Sequence, residues 1–342
     1  MDDQMIRAQT GVPGETGRYP RIVSAGMCVP ETQISNDDLS KFVDTNDEWI
    51  RSRTGIQYRR VATVEQTSGL CAKAARQALE QAGVSPAEVD CIIVATISPD
   101  YTTPSTACLV QQAIGACNAF AFDISAACSG FVYALSIAEK MMAGGRYKKA
   151  LVIGGEVLSK IVDWSDRRTC VLFGDGAGAA LLALGDTPSF LGEDLHADGE
   201  KAMALTGGYL PLESPFGPPD TEKNKYLYMD GRAVFDFALK RVPESICAAL
   251  DRAGLTVADV DLLIPHQANQ RIMDAIAKKI KLPAEKLYSN IQYYSNTSAA
   301  TIPIALAELW CSGRVKPGSG QNIVLTGFGG GLTWGTIVYK IN

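Results

Sequence analysis

The chain repeats itself at half its length. Residues 78–90 read ALEQAGVSPAEVD and residues 249–261 read ALDRAGLTVADVD, 171 positions later in a chain of 342. In both copies a helical pattern ends at Ala-Gly, a short acidic segment follows, and an apolar strand begins, CIIVATI in the first half and LLIPHQA in the second. Residues 134–154, ALSIAEKMMAGGRYKKALVIG, likewise resemble residues 305–327, ALAELWCSGRVKPGSGQNIVLTG, with a small insertion. Each is a helix with apolar residues at helical spacing, a Gly-Arg turn and a buried strand. Any two helix–strand units share that outline, but the common start and the near-constant offset point to duplication.

Alternating helix and strand predicts an α/β protein with layered sheets. Duplication predicts two similar halves facing each other across a pseudo-twofold axis. The boundary falls in the Gly-, Pro- and charge-rich stretch of about 185–225, and we divide the chain into a flexible tail (1–18), an N-terminal half (19–190) and a C-terminal half (191–342). GDTPSFLGEDLHADGE and ESPFGPPDTEKNK read as surface loops, the second an excursion beside the functional site.

At this length the chain fills two modest domains or one fused pair. Apolar residues make up 46% and charged residues 20%, and the net charge of −5 gives no electrostatic footprint for a nucleic acid. The first twenty residues lack the apolar region of a secretory signal, and no apolar run is long enough to span a membrane, so the cytoplasm is the expected location. Nine cysteines at scattered spacing, with no CxxC pair, argue against a disulfide framework and a structural zinc site. Most are expected to be buried small hydrophobes, as Cys91 in VDCIIVAT.

Cys128 is placed differently. In DISAACSGFVYALSIAEKMM, residues 123–142, small residues lead to it and a sustained apolar helix follows. A cysteine at a helix N-terminus meets unpaired amides and a dipole that favour the thiolate; a buried structural cysteine is the alternative. Only two histidines are present. His266, in IPHQANQRI, stands where an apolar strand gives way to a polar loop, a position suited to chemistry or to a hydrogen-bonded structural role. His196, in LHADGE, reads as a loop residue without a catalytic part. Asn296, in YYSNTSAATIPIALAEL, belongs to a helix-capping cluster. The repeat offset maps Cys128 near Ser298, which brings Asn296 and Cys128 to equivalent helix starts at one central crevice. The glycines of GFGGGLTWG (327–335) permit close approach of a ligand but do not make a Walker loop. The GDGAGA run at 174–179 precedes a strand and reads as a tight hairpin rather than a dinucleotide fingerprint.

These segments together resemble the β-ketoacyl-[acyl carrier protein] synthase III family of condensing enzymes, part of the thiolase superfamily. The resemblance covers residues 20–342 and rests on DEWIRSRTGI (47–56), AACSGF (126–131), LFGDGAGA (172–179), PHQAN (265–269), NTSAA (296–300) and FGGGLTWG (328–335), in that order. It implies a five-layered αβαβα fold of two duplicated halves and a homodimer. It implies that Cys128 takes an acyl group from acyl-CoA, that malonyl-[acyl carrier protein] then loses CO₂, and that the enolate attacks the acyl carbonyl. His266 and Asn296 would donate hydrogen bonds to the thioester oxygen, and the amides of Cys128 and Gly330 would form the oxyanion hole, where one lost donor costs about 10²–10³ in rate. No metal or other cofactor is implied, since loss of CO₂ drives the condensation.

By the same resemblance Trp49 and Arg167 would stack on the CoA adenine, with Arg53, on the same helix face as Trp49, contacting the nucleotide; an exposed cation–π pair is the alternative. Arg271, Lys278 and Lys279 would dock the acidic carrier protein, or form an ordinary solvated face. Ser295 replaces the usual glycine before NTSAA, and Arg232 and Asp236 depart from the common pattern of a basic and an amide residue. Thr103, where some short-chain enzymes present phenylalanine to the partner's acyl pocket, implies tolerance of longer or branched primers. A secondary-metabolite synthase or acyltransferase of the polyketide or alkylquinolone type is the nearest rival reading. A non-catalytic partner subunit would be expected to lack the Cys, His and Asn found here, and a redox-sensing thiol protein would need a resolving cysteine.

Overall fold

A computed structural model of the chain describes residues 17–221 and 225–342, so most of the tail assigned to 1–18 lies outside the described residues. Strands β1 (Tyr19–Cys28), β2 (Cys91–Ala95), β3 (Phe120–Ile124), β4 (Lys149–Glu156) and β5 (Gly176–Gly185) form one sheet in the order β1-β5-β4-β2-β3. Strands β6 (Phe190–Ala197), β7 (Leu262–Pro265), β8 (Asn322–Gly329) and β9 (Thr333–Lys340) form a second sheet, ordered β6-β9-β8-β7. The second order repeats the first four strands of the first sheet. Strand directions agree too: β2 and β4 pair in parallel, as do β7 and β8, and the remaining neighbours in the repeated part are antiparallel. A parallel bridge between Leu263 and Leu287 stands where β3 stands in the first half.

Local signals explain why the copies fold alike. Helices α1 (Asp47–Thr54) and α2 (Thr67–Ala82) precede β2, and α2 stops at Gly83, which takes a left-handed φ of 63°. The acidic segments that follow each repeat are capping boxes, Ser85 with Glu88 and Thr256 with Asp259. Helices α3 (Thr106–Ile114) and α4 (Gly130–Ala143) complete the first half, and α5 (Gly231–Arg252), α6 (Gln270–Lys279) and α7 (Thr301–Cys311) belong to the second.

Strand side chains alternate between two cores. Ile92 and Val94 face outward onto α2 and α3, while Ile93 and Ala95 face inward onto α4 and α7. In the second sheet Leu263, Val324 and Val338 pack on α5 and α6, while Ile264, Ile323, Leu325 and Ile337 meet the same central helices. The result is the αβαβα layering expected of the thiolase fold. None of the described helices is long and apolar enough to cross a membrane.

Glycines let the central helices approach the sheets. A Cβ on Gly154 would stand 2.1 Å from the Ala299 carbonyl oxygen, and one on Gly327 would stand 2.9 Å from the Ser129 Cα. Three readings from the sequence need correcting. The loop assigned at GDTPSFLGEDLHADGE contains β6, an edge strand whose Gly and acidic residues disguise it, and His196 lies on that strand. GDGAGA is no hairpin: it leads into β5, and residues 157–175 separate that strand from β4. Its glycines mark close packing, because a Cβ on Gly178 would meet the Ile304 nitrogen at 2.5 Å. Among the cysteines, Cys108, Cys117, Cys247 and Cys311 are exposed rather than buried.

Gly154→Ala is expected to lower the free energy of urea unfolding by about 3 kcal/mol through overpacking. Gly69→Ala, in α2 with no atom within 4 Å of the new Cβ, is expected to raise it by roughly 0.5–1 kcal/mol. Equal effects would contradict the close helix–sheet approach at Gly154.

Candidate active site

Where the two halves meet, a cavity of about 1160 Å³ is lined by Cys128, His266, Asn296, Ser298, Phe328 and Gly330, among others. Cys128 sits in a single 3₁₀ turn, Ala127–Ser129, that runs directly into α4. A matching turn, Ser298–Ala300, runs into α7. The residues that open the two turns, Ala127 and Ser298, share an uncommon left-handed backbone with φ of 44° and 50°. The turns face each other, and the Cys128 thiol donates to the Ser298 hydroxyl across 3.4 Å. The β8–β9 hairpin closes over them. A Cβ on Gly329 would lie 2.9 Å from the Cys128 Cβ and 3.1 Å from its Sγ, so only glycine fits there.

Cys128 is 6% exposed, His266 1% and Asn296 7%, so a substrate reaches them only through the cavity. Burial pushes the Cys128 thiol up to about 12, against the bonds from Ser298 and its own backbone that hold it down. The helix N-terminus was expected to favour the thiolate. Its field is worth at most about 2 kcal/mol, less than the cost of desolvating an enclosed anion, so the resting group is the thiol.

Burial lowers His266 to about 3, which keeps the imidazole neutral. Its backbone N–H donates to the Thr326 carbonyl within β8, its ring packs edge-on to Phe328, and its Nδ1 lies 2.8 Å from the Thr301 hydroxyl. Thr301 also lies 2.9 Å from the Ser298 carbonyl. Its one hydroxyl proton can go to either neighbour; when it goes to Nδ1, the Nε2 of His266 carries hydrogen and can donate.

Asn296 is fixed from its backbone outward. Its N–H donates to Leu172, its carbonyl accepts from Gly174, and its Oδ1 accepts the Ser298 N–H at 2.8 Å. A side-chain oxygen held by a backbone donor leaves the Nδ2 amide as the free, donating end. Ser295, just before it, adopts φ 58° and ψ −160°, a region left almost entirely to glycine, so the usual glycine there has a conformational reason.

The remaining residues singled out from sequence lie around the rim or beyond it. The Arg167 guanidinium stands over the Trp49 ring, 5.4 Å from its centroid, and bonds to Asp44; a third ring between them requires the pair to open. Arg53 is exposed at the end of α1, where Asn269 of the cavity wall donates to its carbonyl. Tyr101 and Thr102 line the cavity, whereas Thr103 is exposed and not part of the lining. Arg271, Lys278 and Lys279 are exposed on α6, with Lys279 bonded to the Leu239 carbonyl. The excursion expected beside the site, ESPFGPPDTEKNK, contributes no described residue to the lining, and its residues 222–224 lie outside the described residues; Gly207, Gly208 and Leu210, just before it, form part of the wall instead. His196 bonds to Asp194 and stacks on Trp334, away from the cavity lining.

Three polar residues at the site were not singled out from sequence as functional: Ser298, Thr301 and Glu156. The signal for Glu156 was a carboxylate closing an otherwise apolar strand, in LVIGGE. No group of three or more His, Cys, Asp or Glu among the described residues could hold a metal ion. A nucleophilic thiol with two neutral N–H donors around an enclosed cavity is suited to holding an acyl group and to stabilising an oxyanion.

Comparison with known proteins fits that chemistry. Residues 122–199 match the family model described as 3-oxoacyl-[acyl-carrier-protein (ACP)] synthase III, and residues 250–341 match that of its C-terminal part. The β-ketoacyl-[acyl-carrier-protein] synthase III of Streptococcus equi subsp. zooepidemicus is 53% identical, over 94% of this chain and 99% of that one. The crystal structure of 3-oxoacyl-[acyl-carrier-protein] synthase III from Aquifex aeolicus superposes with a TM-score of 0.87 at 45% identity, covering 94% of this chain and 99% of that one. The priming β-ketosynthase of the R1128 polyketide pathway superposes equally well, TM-score 0.87, at 35% identity and with 96% and 98% covered.

Proposed function

Because the chain belongs to the β-ketoacyl-[acyl-carrier-protein] synthase III family, we propose that its condensation runs through an acyl thioester on Cys128. It is an acyltransferase of the condensing type, acting at the start of fatty acid biosynthesis. The polyketide-priming alternative is the weaker reading, since that relative shares 35% of its residues against 53% for the fatty-acid enzyme. The observation that carries the mechanism is the convergence of Cys128, His266 and Asn296 on one cavity, at the paired helix starts.

In the first stage Cys128 Sγ attacks the thioester carbonyl of acyl-CoA, with the amides of Cys128 and Gly330 receiving the oxyanion, and CoA leaves. The CoA adenine enters between Trp49 and Arg167, breaking the Arg167 bonds to Asp44, with Arg53 beside the nucleotide. In the second stage malonyl-[acyl carrier protein] occupies the cavity and its thioester oxygen accepts from Asn296 Nδ2 and His266 Nε2. Loss of CO₂ then leaves an enolate that those two donors stabilise, and the enolate attacks the acyl-Cys128 carbonyl. The chemistry needs no resident cofactor, because breaking the carbon–CO₂ bond itself generates the carbanion.

Arg271 and Lys278 offer the acidic carrier protein a basic face, with Lys279 partly engaged at Leu239. A second copy of the chain would cover the open edge of β3, where Phe120 stacks on Phe122, and would bring the exposed Thr103 to its partner's acyl pocket. Nine free thiols suit the reducing cytoplasm.

With malonyl-[acyl carrier protein] as extender, His266→Ala and Asn296→Ala are each expected to slow decarboxylation by about 10²–10³ while Cys128 still accepts an acyl group. Decarboxylation by pre-acylated wild type is expected to stay flat from about pH 5 to pH 8, because a histidine held near 3 is neutral throughout. A rise in rate centred on an ordinary histidine pKa would contradict this role for His266. Comparing acetyl-CoA with octanoyl-CoA tests the primer reading: turnover of both is expected from the small Thr103, and a strict acetyl preference overturns it.

A further inference from the structure

The segment that leads to Asn296 is gripped by a carboxylate that the steps above do not use. Glu308 lies on α7 seven residues after Thr301, so both side chains stand on one face of that helix, two turns apart. Thr301 meets the His266 ring, and Glu308 accepts three hydrogen bonds from the chain between His266 and Asn296. The Asn290 Nδ2 amide donates to its Oε2 at 2.5 Å and the Tyr288 hydroxyl to the same oxygen at 3.0 Å, while the Tyr294 hydroxyl donates to Oε1 at 2.8 Å. Asn290 and Tyr294 bracket a single helical turn, Ile291–Tyr294, and Ser295 caps its end.

Both N–H donors of the second stage hang on this turn. Asn296 follows Ser295, whose φ of 58° and ψ of −160° persist only where the surroundings over-determine them. On its far side Asn296 is fixed at Leu172 and Gly174; on its near side the Ser295 N–H holds the Ile291 carbonyl and Glu308 holds Tyr294. His266 is reached from the other end of the turn. The Asn290 backbone N–H donates to Gln267 Oε1 at 3.0 Å, and Gln267 Nε2 donates to the Pro265 carbonyl at 2.8 Å, so the residues around His266 are anchored to the one that Glu308 grips. Asn290 and Gln267 are buried, and loss of Glu308 would leave the Asn290 amide unpaired rather than solvated. Burial and the neighbouring charge of Glu308 push both phenols up, which keeps Tyr288 and Tyr294 protonated as donors.

Building on the condensing reading, we infer that Glu308 is a positioning residue for the decarboxylation step: it ties the turn Ile291–Tyr294 to α7 and so sets where Asn296 Nδ2 and His266 Nε2 converge. None of Glu308, Asn290 and Tyr294 lines the cavity, so Glu308 acts through its neighbours and not on the substrate. A carboxylate accepts all three protons at once, and bonds to such an acceptor are the strong kind. Acylation does not depend on this tie. Cys128 sits on the opposite turn, Ala127–Ser129, and Gly330 lies between β8 and β9. The two stages of the reaction therefore rest on separate supports.

The test measures the two stages separately in Glu308→Ala, Glu308→Gln and Tyr294→Phe: single-turnover acylation of Cys128 by acyl-CoA, and CO₂ release from malonyl-[acyl carrier protein] by pre-acylated enzyme. Glu308→Ala is expected to slow CO₂ release by about tenfold or more, as a small displacement of the two donors would, while acylation stays within about threefold of wild type. Glu308→Gln is expected to recover most of that loss, because its amide can accept from Asn290 and donate to the Tyr294 hydroxyl. A general loss of folded enzyme lowers both stages together. Equal losses in the two stages, a smaller loss of CO₂ release in Glu308→Ala, or a Gln variant no better than Ala overturns the inference. If Glu308→Ala fails to fold, Tyr294→Phe decides, since it removes only the bond beside Ser295: CO₂ release must fall by about threefold or more with acylation unchanged, and a smaller fall overturns it. If wild type fails at either stage, the condensing reading fails on its own account. Amide hydrogen exchange then judges the tie: Glu308→Ala must speed exchange over residues 291–296 by about tenfold or more with residues 127–131 unchanged, and equal protection overturns it.

Discussion

The structure depends on the close approach of two helix starts at a pseudo-twofold axis. The turns at Ala127–Ser129 and Ser298–Ala300 meet between two sheets, each pressed onto a strand that has glycine at the point of contact. Each turn opens on a residue in the left-handed region, a backbone cost of order 1–3 kcal/mol. Helices packed into both sheets hold the strained turns in place, and the strain in turn aims the first side chains of each turn at the axis. Duplication supplied two equal helix starts; divergence made one of them Cys128 and set Ser298 opposite it.

That arrangement sets the electrostatics. Enclosure at the axis keeps His266 neutral and Cys128 protonated, and it also raises Glu156 into the neutral range. One cause therefore gives both a neutral imidazole and a protonated thiol. The field of a helix N-terminus is too weak to reverse a full desolvation. The same dry surroundings strengthen every hydrogen bond offered to a developing oxyanion.

Much of this was legible in the sequence because the repeat carries geometry. The shared offset of 171 places β1 opposite β6, β2 opposite β7, and the two capping boxes in register. Cys128, His266 and Asn296 could be named because each stands where an apolar element begins or ends. What could not be read depends on contacts across the fold. The glycines of GDGAGA look like a turn until α7 is seen lying on them, and β6 hides behind Gly, Pro and acidic residues because it is an edge strand. The state of the Cys128 thiol follows from total enclosure, which no local pattern reports. Glu156 is 60 residues from its donor Thr96 and 58 from Ser98, and only the pairing of β4 with β2 brings them together.

Cys128 is the group proposed to take the acyl chain. The direct measurement is the mass of the intact chain, followed by peptide mapping, after brief exposure to acyl-CoA. One acyl group per chain on the Cys128 peptide is the expected result, although Cys108, Cys117, Cys247 and Cys311 are far more accessible. Acyl label confined to those exposed thiols, or no label on any cysteine, would contradict it.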